Sequence, residues 1–245
     1  MNLVVDIGNT RAKAVVMSGV DVVGSYVSDS ATEQWLRDIV AEHQAIRRAI
    51  VSSTRGDGAA VCDMLRRVVE YVVHFEPSTT PIPLGNDYAT PQTLGADRLA
   101  AAVGASAMYG DEALLIVDFG TAITVDRVER GLYLGGNISP GVTLRFRALA
   151  DYTACLPLCS ATDEVLEYGR TTREAIEQGV MRGVEHEIRG YIEDFSKKNA
   201  KICTIFTGGD AKYFAMRIKN AIFADCEPVI FGLNTILNYN ADRQA

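Results

Sequence analysis

At 245 residues the chain can hold one large domain or two small ones, with enough apolar content for real cores. Hydrophobic residues make up 48% and charged residues 22%, the balance of a globular enzyme rather than a disordered or fibrous chain. A net charge of −7 offers no basic face for phosphate backbones and no apolar run reaches bilayer length, so neither nucleic-acid binding nor membrane insertion is expected.

Met1-Asn2 leads straight into an apolar run with no basic leader, so no signal peptide is expected. Residues 3–7 and 12–17 read as a strand pair turning at Gly8-Asn9-Thr10, and 20–27 continues the pattern. Residues 32–43 read as a helix with Trp35, Leu36, Ile39 and Val40 on its apolar stripe, followed by a strand over 45–52. A second helix is predicted over 58–72, from Val61, Met64, Leu65 and Val68. Residues 77–91 are rich in Pro, Gly and Asn and read as a functional loop. Leu94-Gly95-Ala96-Asp97-Arg98 then opens an Ala-rich helix from 99 to 109, with Asp97 in the position of an N-cap.

The second half restarts at Leu114 with strand, loop and strand. Residues 131–134 form another strand, Gly135-Gly136 opens a loop through Pro140-Gly141, and helices are predicted over 142–150, 172–197 and 211–220. A buried strand over 202–206 ends in Thr207-Gly208-Gly209-Asp210. The stripe Ile176, Val180, Val184 and Ile188 fits a core or an interface equally. One β-β-β-α-β-α plan thus occurs twice. It predicts an α/β fold made by duplication, divided at 1–113 and 114–245, with a nucleotide cleft between the halves. The five cysteines are odd in number and scattered, as expected of reduced thiols in the cytoplasm. Cys155 and Cys159 have no nearby histidine and Pro157 between them, so they predict no metal site.

Each half opens on the same loop chemistry. Leu3-Val4-Val5-Asp6-Ile7-Gly8-Asn9-Thr10 and Leu115-Ile116-Val117-Asp118-Phe119-Gly120-Thr121 are apolar strands ending in Asp-x-Gly. A strand-end aspartate can face a cation, glycine lets backbone approach an anion, and Thr hydroxyls donate to phosphate oxygens. Lys13 follows the first loop at the start of the second strand, a point charge able to reach a transferred phosphate. Asp97 has the chemistry of a general base, and Arg98 that of a carboxylate fork.

Asp6-x-Gly8-x-Thr10, Asp118-x-Gly120-Thr121 and Thr207-Gly208-Gly209-Asp210 resemble the phosphate and adenosine motifs of the actin-like ATPase superfamily, whose fold is RNase H-like. With Leu94-Gly95-Ala96-Asp97-Arg98, Gly135-Gly136-Asn137-Ile138-Ser139-Pro140-Gly141 and Gly169-Arg170-Thr171-Thr172-Arg173-Glu174, the chain is most similar to type III pantothenate kinases. Two positions depart from that pattern: Thr171, where Asn or Asp is expected, and Phe119, where a small residue is common.

The resemblance implies ATP-dependent phosphorylation of pantothenate, with Asp97 as catalytic base. It implies ATP contacts from Asp6, Ile7, Gly8, Asn9, Thr10, Arg11, Ala12, Lys13, Thr121, Gly208 and Gly209. It implies pantothenate contacts from Tyr88, Gly95, Ala96, Asp97, Arg98 and Thr172, magnesium at Asp6, and potassium or ammonium at Asp118. A homodimer is implied as well. A sugar or acetate kinase fits less well, because neither carries the Leu-Gly-x-Asp-Arg segment. A non-catalytic regulator is the reading from another class, and the intact Asp6, Asp97, Arg98 and Asp118 speak against it.

Overall fold

The computed structural model describes residues 1–110, 113–219, 221–223 and 227–243. The first half runs β1 (Asn2–Ile7), β2 (Ala12–Ser18), β3 (Asp21–Ser28), α1 (Glu33–Glu42), β4 (Arg48–Ser53), α2 (Gly58–Leu65), β5 (Tyr71–His74), β6 (Gly85–Asn86) and α3 (Ala96–Tyr109). The second runs β7 (Ala113–Phe119), β8 (Ala122–Glu129), β9 (Leu132–Pro140), α4 (Val142–Asp151), α5 (Thr172–Lys198), β10 (Ile202–Thr207), α6 (Ala211–Ala215), β11 (Ala221–Phe223) and α7 (Pro228–Asp242).

The strands carry the duplication. One sheet has the order β3-β2-β1-β4-β5, and the other repeats it as β9-β8-β7-β10-β11. In each, the first strand pairs antiparallel with the second and parallel with the fourth. This is the duplicated actin-like, RNase H-like fold. The predicted cut at 113/114 follows the sequence repeat, whereas the compact units cross it. One unit comprises Met1–Gly110, Gly131–Leu134 and Cys226–Ala245, and the other Asp111–Arg130 and Gly135–Asp225. In the first unit, β6 pairs in parallel with the start of β9 through Gly85 and Leu132.

Alternation along β1 decides what the first unit does with its two faces. Leu3, Val5 and Ile7 join Leu36, Ile39, Val61 and Leu65 in a core under α1 and α2. Asn2, Val4 and Asp6 face the other way, where Asn2 Nδ2 donates to Asn234 Oδ1 of α7 at 2.7 Å and to Asn238 Oδ1 at 2.9 Å. Helices α3 and α7 share that side. A Cβ on Gly104 of α3 would lie 2.0 Å from the Pro228 carbonyl oxygen, and one on Gly232 of α7 would lie 1.8 Å from that of Ala100. Both positions therefore need glycine. In the second unit, Leu115, Val117 and Phe119 pack with Ile176, Val180, Val184 and Ile188 of α5, so the helix stripe left open by periodicity is core.

Four segments depart from the sequence reading. The helix predicted over 58–72 stops at Leu65, because Tyr71, Val72 and Val73 extend as an edge strand on β4. Gly135-Gly136 lies within β9 rather than opening a loop; a Cβ on Gly136 would meet the Val125 carbonyl at 1.9 Å. The helix predicted over 211–220 ends at Ala215, and Asn220 lies outside the described residues. Helix α7 was not anticipated, and it supplies half of the α3 contact.

Gly232→Ala is expected to lower stability by about 1–3 kcal/mol through overpacking against a backbone carbonyl. Urea unfolding checks it, with Gly190→Ala on α5, where a Cβ meets nothing within 4 Å, as the control expected to show no comparable loss.

Candidate functional site

Three strand-end residues of the first unit share the α3/α7 face. Register sets Asp6 opposite Lys13 on β2 and opposite Ser52 on β4. The loop beyond is tied back by hydrogen bonds from Gly8 N to the Arg11 carbonyl at 3.0 Å and from Thr54 N to the Ile7 carbonyl at 3.0 Å. Asn9, Thr10 and Arg11 are exposed. A Cβ on Gly8 would meet only the Arg11 carbonyl, at 3.7 Å, so the protein itself does not demand glycine there and the space above is open.

Asp6 is the electrostatic centre of this face. Its pKa is raised to about 6, first by burial, then by the Asp97 carboxylate and less strongly by Glu227; Ser52 and Lys13 act in the opposite direction. Ser52 eases the charge from across the strand pair. Even so, neither Asp6 Oδ1 nor Ser52 Oγ completes a hydrogen bond of ordinary geometry, and both atoms are buried. An orphaned buried carboxylate oxygen is what a hydrated cation would satisfy. Among the described residues no three acidic, imidazole or thiol side chains gather into a ready-made cage, in keeping with an ion held partly by water and phosphate.

Asp97 lies in the first turn of α3, whose N-cap is Gly95 with no side-chain cap bond. The expectation of an Asp97 N-cap therefore shifts by two residues. Asp97 Oδ1 accepts from Arg98 N at 2.9 Å, at a helix end whose N–H groups favour negative charge. Arg98 is only 6% exposed, a rare burial for a cation, and its guanidinium carbon lies 5.8 Å from the centroid of the Tyr88 ring. Tyr88 is positioned by its N–H bond to Asn86 Oδ1 at 3.0 Å and packs at 6.2 Å on buried Tyr133. Gly95 and Ala96 also border a cavity of about 510 Å³ lined by Ser53, Thr54, His74 and Glu76.

The second unit carries its own strand-end aspartate. Asp118 stands opposite Thr124 on β8 and Thr207 on β10. Gly208 has φ 93°, and a Cβ there would lie 2.3 Å from Asp118 Oδ1, so the TGG turn must be glycine to lie against the aspartate. The carbonyls of Gly120 and Thr121 crowd Gly141, and Thr121 accepts from Gly141 N at 3.0 Å.

The cap of α5 is Thr171. Thr171 and Glu174 form a reciprocal capping box, which resolves the departure at position 171: Thr does the work of Asn or Asp. Thr172 is the first helical residue and exposed.

The structure thus brings Asp6, Lys13, Asp97, Arg98 and Tyr88 together in one unit, and Asp118, Thr121, Gly208 and Gly209 in the other, with Thr172 at the start of α5. Sequence reading missed two residues beside the first group, Ser52 and Glu227. Ser52 had a signal, since it sits one strand over in the register of Asp6. Glu227 had none: it lies 214 residues from Lys13 in sequence yet forms an ion pair with it.

The family profile described as type III pantothenate kinase matches residues 2–194. A type III pantothenate kinase of Azobacteroides pseudotrichonymphae is 41% identical over 240 residues, covering 98% of this chain and 97% of that protein. Among solved structures, MreB5 of Spiroplasma citri bound to ADP aligns with TM-score 0.55 at 11% identity, covering 99% and 98% of the two chains. A Campylobacter jejuni structure described as a Baf family transcriptional activator aligns at 0.67 with 22% identity, covering 98% and 99%. Identities this low carry the fold alone.

Asp6 makes stability depend on pH. Its folded pKa of about 6 lies above the ordinary aspartate value of 3.8, so stability present below about pH 4 is lost as pH rises through 6. At 1.36 kcal/mol per unit the loss is on the order of 3 kcal/mol. In EDTA, Asp6→Asn is therefore expected to unfold at higher urea than the parent at pH 8, with the gap closing near pH 4. A gap that ignores pH would show that the Asp6 charge is not desolvated.

Proposed function

The chain belongs to the type III pantothenate kinase family, and on that premise we propose which residues carry its reaction. The activity is ATP-dependent phosphorylation of pantothenate to 4'-phosphopantothenate, the first step of coenzyme A biosynthesis. The observation that carries the proposal is the grouping of Asp97, Arg98 and Tyr88 at the start of α3 beside the desolvated carboxyl of Asp6.

In this reading Asp97 accepts the proton of the primary hydroxyl of pantothenate as that oxygen attacks the γ-phosphorus of ATP. The P–O bond to the leaving ADP breaks in line. Arg98 pairs with the pantothenate carboxylate, its guanidinium carbon 5.8 Å from the Tyr88 ring centroid. Gly95 and Ala96 present backbone to the same substrate, and Thr172 offers a hydroxyl that its own helix does not use as the cap. The loop from Asp6 to Lys13 takes the phosphates of ATP; in the other unit Thr121, Gly208 and Gly209 take ATP through a hydroxyl and through backbone that lacks side chains.

Magnesium fits at Asp6, whose buried oxygen lacks a partner, and would supply charge neutralisation on the phosphates. Potassium or ammonium fits at Asp118, where it would balance a carboxylate at the strand end. We further propose a homodimer working in the cytoplasm, both supported by the family's pattern.

Asp97→Asn keeps the size and loses the base, so kcat is expected to fall about 100-fold or more with the KM for ATP little changed. Near-parental kcat in steady-state assays would remove Asp97 from proton transfer.

A second expectation concerns the ion and the assembly. Dialysed into sodium buffer with magnesium present, the enzyme should lose most activity and regain it on adding potassium or ammonium, with light scattering reporting a dimer. Full activity in sodium alone removes the monovalent ion from Asp118, and an active monomer removes the dimer.

A further inference from the structure

Asp6 and Lys13 face each other directly across the β1–β2 pair. Opposed side chains in an antiparallel pair have Cβ atoms about 4.5–5.5 Å apart, and unlike charges there ordinarily pair. Here they do not. The Lys13 ammonium bonds Glu227, while Asp6 Oδ1 stays buried with no hydrogen-bond partner.

Glu227 is fixed from several sides. It precedes Pro228 at the first position of α7, and the Pro228 carbonyl is packed on Gly104 of α3. Nearly two turns further, Asn234 accepts from Asn2 at 2.7 Å and donates to the Gly19 carbonyl at 2.9 Å, locking α7 to β1 and to the β2–β3 turn. Glu227 makes no side-chain cap bond to its own helix, so its carboxylate is given to Lys13 rather than to α7.

We propose that Glu227 is a positioning residue: it draws Lys13 off Asp6, leaving the Asp6 carboxylate for the cation and the lysine for phosphate. Without it, Lys13 falls back across the strand pair, and a divalent ion must displace a protein ammonium to reach Asp6. The inference rests on the reading of Asp6 as the magnesium residue.

The test uses Mn2+ as the probe, followed by loss of the free-ion EPR signal in the presence of a non-hydrolysable ATP analogue, alongside the Mg2+ dependence of turnover. Glu227→Gln should weaken Mn2+ binding about two- to fivefold, the range of a partly exposed ion pair. The Mg2+ level for half-maximal rate should rise in step, the KM for pantothenate should hold, and Glu227→Asp should restore the parental behaviour. In a Lys13→Met background Glu227→Gln should have no further effect on Mn2+. Unchanged Mn2+ affinity in Glu227→Gln, or an equal loss with Lys13 already removed, overturns the proposal. Asp6→Asn separates the two ideas. If it abolishes Mn2+ binding while Glu227→Gln does nothing, only the role of Glu227 fails; if it leaves Mn2+ binding intact, the magnesium reading of Asp6 fails and the role of Glu227 with it.

Discussion

Two glycines facing each other across α3 and α7 set the spacing on which the chemistry of the first unit depends. Because neither Gly104 nor Gly232 carries a Cβ, the helices approach until backbone carbonyls touch the partner helix. That contact fixes the N-terminal turn of α3, with Asp97 and Arg98, and the residue before α7, Glu227, relative to one another. The asparagine bonds from α7 to Asn2 then fix both helices to β1, which ends in Asp6. Four charged groups of opposed sign are thereby held in register by apolar and amide packing rather than by their mutual attraction.

Such an arrangement works against stability. Asp6, Asp97 and Glu227 are like charges, and burial of Asp6 adds to their repulsion. A fold selected for stability alone would pair Asp6 with the lysine opposite. The unpaired, desolvated carboxylate is the local conflict expected where a site must accept a cation and a polyphosphate, since ligand charges resolve what the protein leaves unresolved.

The sequence made some of this legible and not the rest, for physical reasons. Asp6, Gly8 and Asp118 could be read because strand-end loops are local: period-two apolar runs followed by Asp-x-Gly name their own position. Asp97 and Arg98 were legible from motif chemistry, although the burial of Arg98 beneath Tyr88 depends on a tertiary contact between the 85–88 segment and α3. The predicted helix over 58–72 failed because apolar positions at helical spacing continue into Tyr71-Val72-Val73, where pairing with β4 decides the outcome. Glu227 was invisible because its role exists only once the last helix returns to the first strand. No local pattern encodes a partner 214 residues away.

The duplication puts one strand-end device into two charge settings. In both sheets the parallel neighbour places a hydroxyl residue opposite the aspartate, Ser52 beside Asp6 and Thr207 beside Asp118. The antiparallel neighbour differs: Lys13 in the first and neutral Thr124 in the second. The first aspartate therefore sits among a lysine and two further carboxylates. The second is walled by main chain, with Gly208 so close that no side chain could intervene. The repeat supplies the aspartates; the first then meets a lysine across the strand pair and the carboxylates of Asp97 and Glu227 from the helix side, whereas the second stands between neutral threonines.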